Sequence, residues 1–187
     1  QDLAAPFTDM QSHWAKDDVA FTSARGLFAG TAPKLFSPTD DMTRGMMVTV
    51  LHRLENEVPA SGAPTFGDVK PGVWYSDAVS WAAANQIVSG NGKDFGAEDD
   101  VTREQLAAML FRYAGKQGLD TAGRKSLSGF SDASAVSAWA VEPMRWAVAT
   151  GIFSGNSDGT LNGGGNASRA EVAAMMERFI TSAAKQR

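Results

Sequence analysis

The chain contains no cysteine, which excludes disulfides and thiolate metal sites while leaving the compartment open. Histidine is almost as scarce. His13 and His52 are the two present and they occupy no repeated position, so neither a metal nor a cofactor is expected. Long hydrophobic runs are missing too: nothing approaches the ~18 consecutive apolar residues of a bilayer span, so no membrane insertion is expected. Positive charge is thin as well. A formal net charge of -4 without any cationic run makes nucleic acid and anionic membrane surfaces poor partners. There is no cysteine nucleophile, phosphate-binding loop or metal constellation, so the expectation is a chain that is not an enzyme. The opening "QDLAAPF" lacks the basic and apolar regions of a signal peptide, as expected of a mature start or of a fragment from a longer chain.

What the sequence does have is enough apolar material for a core, and repetition. At 187 residues and 43% hydrophobic, it can form one domain or a compact array of small ones. Three units align, each opening on a Phe-x-Asp: "FTD" at Phe7, "FGD" at Phe66 and "FSD" at Phe130. A tryptophan follows in each, at Trp14, Trp74 and Trp139. An aromatic stands seven residues beyond it (Phe21, Trp81, Trp146), an alanine ten beyond (Ala24, Ala84, Ala149) and a glycine sixteen beyond (Gly30, Gly90, Gly155). Each unit then reaches a Thr/Ser-Arg pair at Arg44, Arg103 and Arg169, with a second arginine nine residues later at Arg53, Arg112 and Arg178. So many shared offsets define repeats with boundaries near 1–60, 61–123 and 124–187.

Each unit reads as helix, glycine-containing loop, helix, which gives an all-α fold of three tandem helix-loop-helix repeats. In the first helix, the tryptophan, the aromatic and the alanine are expected on one face. Asp17 and Asp77 suit a cap or first turn, Pro143 the first helical position behind Glu142, and Gly26 and Gly151 the helix ends. The second helix is clearer. Thr102 with Gln105, and Ser168 with Glu171, read as capping boxes, whereas Met46 cannot reciprocate the Thr43 cap. Apolar stripes follow at Met47, Val50, Leu51 and Leu54, at Leu106, Met109, Leu110 and Tyr113, and at Val172, Met175, Met176 and Phe179. One helix pair cannot bury two stripes alone, so the units must pack on one another. The segments "ENEVPASGAPT" and "GKQGLDTAGRKSLSG" read as polar surface linkers, and "TSAAKQR" as a frayed tail or the start of a linker.

The arginines stand at the wrong end of their helices. A positive charge in the first turn opposes the macrodipole by roughly 0.3–1 kcal/mol unless something offsets it. Two readings follow. A guanidinium beside free helix N–H groups makes a donor cluster for a carboxylate ligand, or Asp9, Asp68 and Asp132 pair with the arginines as a structural clamp. The tryptophans likewise divide between sugar stacking and packing, while Phe21, Trp81 and Trp146 belong in the core. Gly30, Gly90 and Gly155 suit tight turns or a backbone close to a ligand. Arg53, Arg112 and Arg178 lie about 13 Å further along each helix and are expected at inter-repeat contacts or in solvent.

This combination resembles the surface-layer homology family, which usually carries three tandem copies. The match is close in "FTDMQSHWAKDDVAFTSARGLFAG…FSPTDDMTR" and "FGDVKPGVWYSDAVSWAAANQIVSG…VTREQ", and recognisable in "FSDASAVSAWAVEPMRWAVATGIFSG…ASRAE". The resemblance implies a pseudo-threefold all-helical module, secreted and held without catalysis at a bacterial cell wall or surface. It implies grooves that bind secondary cell wall polysaccharide, through pyruvylated N-acetylmannosamine, or modified peptidoglycan. The family's Thr-Arg-Ala-Glu motif falls on Thr43-Arg44-Gly45-Met46, Thr102-Arg103-Glu104-Gln105 and Ser168-Arg169-Ala170-Glu171, of which only the last keeps Ala-Glu. Repeat one has a Phe36-x-Pro38 loop whose proline repeats two and three lack, so "LNGGGN" is expected to leave the third groove altered or mobile and the sites unequal. Ligand contacts are therefore expected from Arg44, Arg103 and Arg169, from Trp14, Trp74 and Trp139, from Asp9, Asp68 and Asp132, and from the backbone at Gly30, Gly90 and Gly155. The alternative is a protein–protein module that uses the same faces to bind other surface-layer subunits.

Overall fold

A computed structural model describes residues 7–60, 66–90 and 92–186. The N-terminal "QDLAAP" and the end of the first linker, 61–65, lie outside the described residues. Among the described residues six α-helices occur in three successive pairs: α1 (Lys16–Ser23) with α2 (Arg44–Leu54), α3 (Ser76–Ala84) with α4 (Arg103–Lys116), and α5 (Val141–Ala149) with α6 (Arg169–Ala184). Among the described residues there is no strand, only isolated bridges such as Thr43 with Asp100. The fold is all-α, with repeated helix pairs and loops as the sequence pattern requires.

The chain forms two compact units, one of residues 1–101 with 168–174 and the other of 102–167 with 175–187. In the first, Met47, Val50 and Leu51 of α2 are buried together with Val79 and Trp81 of α3. The His52 ring stands 5.2 Å from that of Trp81. In the second, Leu106, Leu110 and Tyr113 of α4 are buried with Met144 and Trp146 of α5. Tyr113 reaches Phe179 of α6 at 5.7 Å. Each such side chain contributes roughly 1.5–3 kcal/mol by leaving water.

The second helices begin as the caps dictate. Thr102 Oγ1 accepts from Gln105 N–H while the Gln105 side chain accepts from Thr102 N–H, both at 3.3 Å. Ser168 and Glu171 exchange the same two bonds at 3.3 and 2.9 Å. Thr43 caps Met46 N–H at 3.2 Å without a return bond. Gly45 fits this start for a reason beyond the cap. A Cβ there would stand 3.0 Å from the Ala97 carbonyl and 3.3 Å from the Tyr75 ring.

The first helices depart from expectation. They start two residues beyond the tryptophans, at Lys16, Ser76 and Val141, so Trp14, Trp74 and Trp139 stand in the turn before the helix and off its buried face. The three are 63%, 59% and 53% exposed. Ala24, Ala84 and Ala149 are exposed at the helix ends. No side chain caps these helices, and Asp17, Asp77 and Glu142 serve in the first turn instead. Pro143 is third in α5 rather than first, where its missing N–H still costs no helical bond. Trp81 and Trp146 are core residues as expected, but Phe21 is half-buried beneath the Arg25 guanidinium, 3.5 Å above its ring. Gly26 and Gly151 terminate α1 and α5 with φ of 71° and 77°, and Gln86 takes the same left-handed turn at 58° after α3. The expected frayed tail is instead helical to Ala184, with Thr181 donating to Glu177 at 3.0 Å.

The second arginines also have a definite place. Arg53 donates to the Leu27 carbonyl at 3.1 Å and Arg178 to the Ile152 carbonyl at 3.3 Å. Both bonds lie inside a single repeat, where each guanidinium takes a carbonyl in the loop just past the first helix. The expectation of inter-repeat or solvent positions is corrected for these two.

Candidate functional site

The geometry around Arg44, Arg103 and Arg169 explains their position. In each case the first turn of one repeat's second helix enters the loop of another repeat, within one compact unit. Arg169 Nε donates to the Phe36 carbonyl and Nη2 to the Ala29 carbonyl, both at 2.8 Å. Arg44 Nε donates to Phe95 at 3.1 Å and Nη2 to Ser89 at 3.3 Å. Arg103 Nε donates to Leu161 at 2.9 Å. The guanidiniums stand 4.5, 4.7 and 5.1 Å from the rings of Phe36, Phe95 and Phe153 respectively.

The helix N–H groups are spent on the same loops. Arg169 and Ala170 N–H donate to Asp40 and Pro38 carbonyls at 2.9 and 3.0 Å, and Arg44 and Gly45 N–H to Asp99 and Ala97 at 2.9 and 2.8 Å. Arg103 and Glu104 N–H donate to Gly165 and Gly163 at 2.9 Å each. The expected free N–H cluster is therefore absent at these positions, because the capping side chain takes the third donor as well. Carbonyl dipoles supply the negative potential that the helix start and the guanidinium both need. Pro38, Ala97 and Gly163 do the same work, so loss of the loop proline leaves this docking unchanged.

The aspartates hold the other side of those loops. Asp9 accepts from Phe36 and Ser37 N–H, Asp68 from Phe95 and Gly96, and Asp132 from Leu161 and Asn162, at 2.7–3.1 Å. Ser37, Gly96 and Asn162 have φ of 56°, 73° and 49°, which turns two successive N–H groups into a concave nest for one carboxylate. Thus Phe36, Phe95 and Leu161 each receive an aspartate at the N–H and an arginine at the carbonyl. Asp9 also acts through space on Arg169, and Asp68 on Arg44. Sequence reasoning noted Phe36 only as part of a proline loop and missed Phe95 and Leu161, although a fixed offset marks all three: each stands eight positions before the next arginine in the chain.

Burial separates the arginines. Arg103 and Arg169 are 4% and 7% exposed, whereas Arg44 is half-buried. Burial lowers the pKa of Arg44, partly offset by Asp99 and Asp68, and that of Arg169, partly offset by Asp40 and Asp9. An arginine stays charged through such a shift. Burial also pushes the Asp9 and Asp68 carboxyls up. The loop N–H bonds together outweigh it and hold both below the ordinary 3.8. Because these folded pKa values are depressed, the stability they contribute is complete above the unfolded value and is lost as pH falls through the folded one. Urea titrations from pH 7 down to 2.5 are expected to show it constant until near pH 4 and falling below, with Asp68→Asn flattening that acid limb. An unchanged limb in the variant refutes the nest as its source.

Gly30, Gly90 and Gly155 sit where a Cβ would strike the Phe of the Phe-x-Asp motif. The distances to Phe7 and Phe66 Cε1 are 2.8 and 2.5 Å, and Phe130 Cε1 is as close to Gly155. Only Gly155 combines this with a left-handed φ, of 75°. These glycines therefore serve close packing within each repeat. Glu104, unmatched in the other repeats, accepts from Ser137 N–H and Oγ at 3.0 and 2.7 Å. Among the described residues no group of three or more His, Cys, Asp or Glu is placed to hold a metal, and no helix is long and apolar enough to cross a membrane.

The S-layer homology domain model matches residues 6–46, 65–107 and 129–173. The chain belongs to the S-layer homology family. The three matched segments span the Phe-x-Asp, the loop and the arginine of each repeat. The chain is 30% identical over 170 residues to "Amylopullulanase" of Thermoanaerobacterium thermosulfurigenes, covering 91% of this chain and 9% of that protein. It is 30% identical over 173 residues to "Surface-layer 125 kDa protein" of Lysinibacillus sphaericus, covering 90% and 14%. To "Cellulosome-anchoring protein" of Acetivibrio thermocellus it is 24% identical over 151 residues, covering 78% and 33%. It thus spans a third or less of the length of these relatives. As an S-layer homology module, it has a non-catalytic role in anchoring at the cell surface and wall.

Proposed function

We propose that this S-layer homology module, with working repeats at 1–60, 61–123 and 124–187, is secreted and anchors a longer protein by binding an anionic secondary cell wall polysaccharide. Pyruvylated N-acetylmannosamine is the terminal unit that suits it, with modified peptidoglycan as the other wall ligand. The supporting observation is the inequality of the arginines. Arg103 and Arg169 are buried in loop carbonyls and act as docking residues, whereas Arg44 is half-buried and makes longer bonds of 3.1 and 3.3 Å. Its remaining N–H donors are the ones a ligand carboxylate reaches with least rearrangement. The exposure of Trp14, Trp74 and Trp139 supports their use as stacking surfaces for sugar rings. Asp9, Asp68 and Asp132 shape the loops beside the ligand, and Gly30, Gly90 and Gly155 set the walls. A second reading, assembly with other surface-layer subunits, is supported by the surface-layer relative and by the burial of two arginines.

Calorimetric titration with purified wall polymer, intact and stripped of its acidic substituents, tests the anchor. Arg44→Ala is expected to weaken binding to intact polymer about tenfold to a hundredfold, as loss of one charged hydrogen-bonding group does. Its melting temperature, read in parallel by circular dichroism, separates that loss from unfolding. Equal affinity for stripped polymer, or full affinity in folded Arg44→Ala, overturns the proposal. Self-association without polymer binding favours the assembly reading.

A further inference from the structure

A groove of about 490 Å³ opens in the first compact unit, between the second half of α2 and the start of α3. Its lining includes Thr49, His52, Glu57, Trp74, Asp77 and Ser80. Three properties of that lining decide what it holds. First, Trp74 is 59% exposed and leaves indole surface open for a flat apolar partner such as a pyranose ring. The His52 ring, by contrast, is committed, with Nε2 bonded to the Val58 carbonyl at 2.9 Å and one face on Trp81. Second, among its described residues the lining carries two carboxylates, Glu57 and Asp77, and no lysine or arginine. Among the described residues neither carboxylate is taken by a hydrogen bond or ion pair. Third, Thr49 Oγ1 spends its proton on the Gly45 carbonyl at 2.8 Å, so that hydroxyl has only lone pairs left to offer a ligand.

A groove that offers acceptors, negative charge and an aromatic face repels a carboxylate and favours a donor-rich cation. We propose that this groove binds a hexosamine unit bearing a free amine. The ring lies on Trp74 and the ammonium group lies between Asp77 and Glu57, where charge-assisted hydrogen bonds and the indole quadrupole act together. Hydroxyls of the same sugar donate to Thr49 and Ser80. The site is chemically opposite to the anion-binding reading of Arg44. It rests on that reading only in placing a glycan at this surface.

The test titrates the folded chain with tetraglucosamine, tetra-N-acetylglucosamine and a lysine-bearing stem peptide, following tryptophan fluorescence and heat. Tetraglucosamine is expected to bind about tenfold more tightly than its acetylated counterpart and to lose that margin as salt rises. Trp74→Ala is expected to abolish its binding. Glu57→Gln with Asp77→Asn should erase the preference for the free amine while leaving the melting temperature near that of the parent. Equal or tighter binding of the acetylated sugar, tighter binding of the peptide, or an undiminished preference in the double variant overturns the proposal. Retained tetraglucosamine binding without affinity for the acidic wall polymer refutes the Arg44 reading alone. The reverse result refutes this one alone.

Discussion

Arg169→Ala is expected to destabilise the chain by about 3 kcal/mol, more than the same change at Arg44, because it strips the donor from the buried Phe36 carbonyl and a second one from that of Ala29. The guanidinium is 7% exposed and donates at 2.8 Å to both Phe36 and Ala29. Hydrogen bonds from a charged group contribute about 1.5–3 kcal/mol each, and buried acceptors left unmet carry their own desolvation cost. Against this stands the favourable removal of a charge from a helix start, about 0.3–1 kcal/mol. The bonds win. Lysine is not a rescue, since a single ammonium cannot reproduce a planar fork held by two carbonyls at its Nε and Nη2. Arg44→Ala removes longer bonds from a half-buried group, so about 1 kcal/mol is expected there. Urea unfolding followed by circular dichroism measures both, and the order of the two losses is the decisive reading. An Arg169→Ala variant within about 0.5 kcal/mol of the parent would mean that the loop carbonyls find other donors.

The starts of the second helices and their buried stripes were legible in the sequence because both are local. A capping box is set by residues three apart, and Leu106, Met109, Leu110 and Tyr113 share a face whatever they pack against. The repeat pattern also located the arginines and aspartates that meet at the loops. What each of them touches was not legible. Periodicity within a helix does not say that the first N–H groups of α6 donate to Pro38 and Asp40, more than a hundred positions earlier in the chain. Nor does composition reveal that Asp9 faces two N–H groups instead of a guanidinium. That depends on a left-handed turn at Ser37, a residue type with no strong preference for it. The tryptophans misled for a related reason. Aromatic residues at helical spacing imply a common face only if the helix includes them, and the chain turns just after Trp14, Trp74 and Trp139.

Two substitutions of the same kind should move stability in opposite directions. Gly90→Ala places a Cβ 2.5 Å from Phe66 Cε1 and closer still to the Asp94 carbonyl. The phenyl ring can swing, but a backbone carbonyl cannot yield without disturbing Phe95, whose N–H is held by Asp68 and whose carbonyl is held by Arg44. Overpacking of that sort costs about 1–3 kcal/mol, and the upper end is expected because the strained loop also receives α2. Gly115, near the end of α4, has nothing within 4 Å of its added Cβ and needs no left-handed φ. Gly115→Ala therefore gains about 0.5–1 kcal/mol from helix propensity and a less free unfolded chain. Thermal melts of the pair should differ by roughly 5–15 °C for a chain of this size. Gly90→Ala should also weaken wall-polymer binding if Arg44 is the anion contact, since Arg44 is positioned by Ser89 and Phe95 on either side of that glycine. A Gly90→Ala chain as stable as the parent would show that the close approach of Phe66 is not required, and with it would fall the packing role assigned to Gly30 and Gly155.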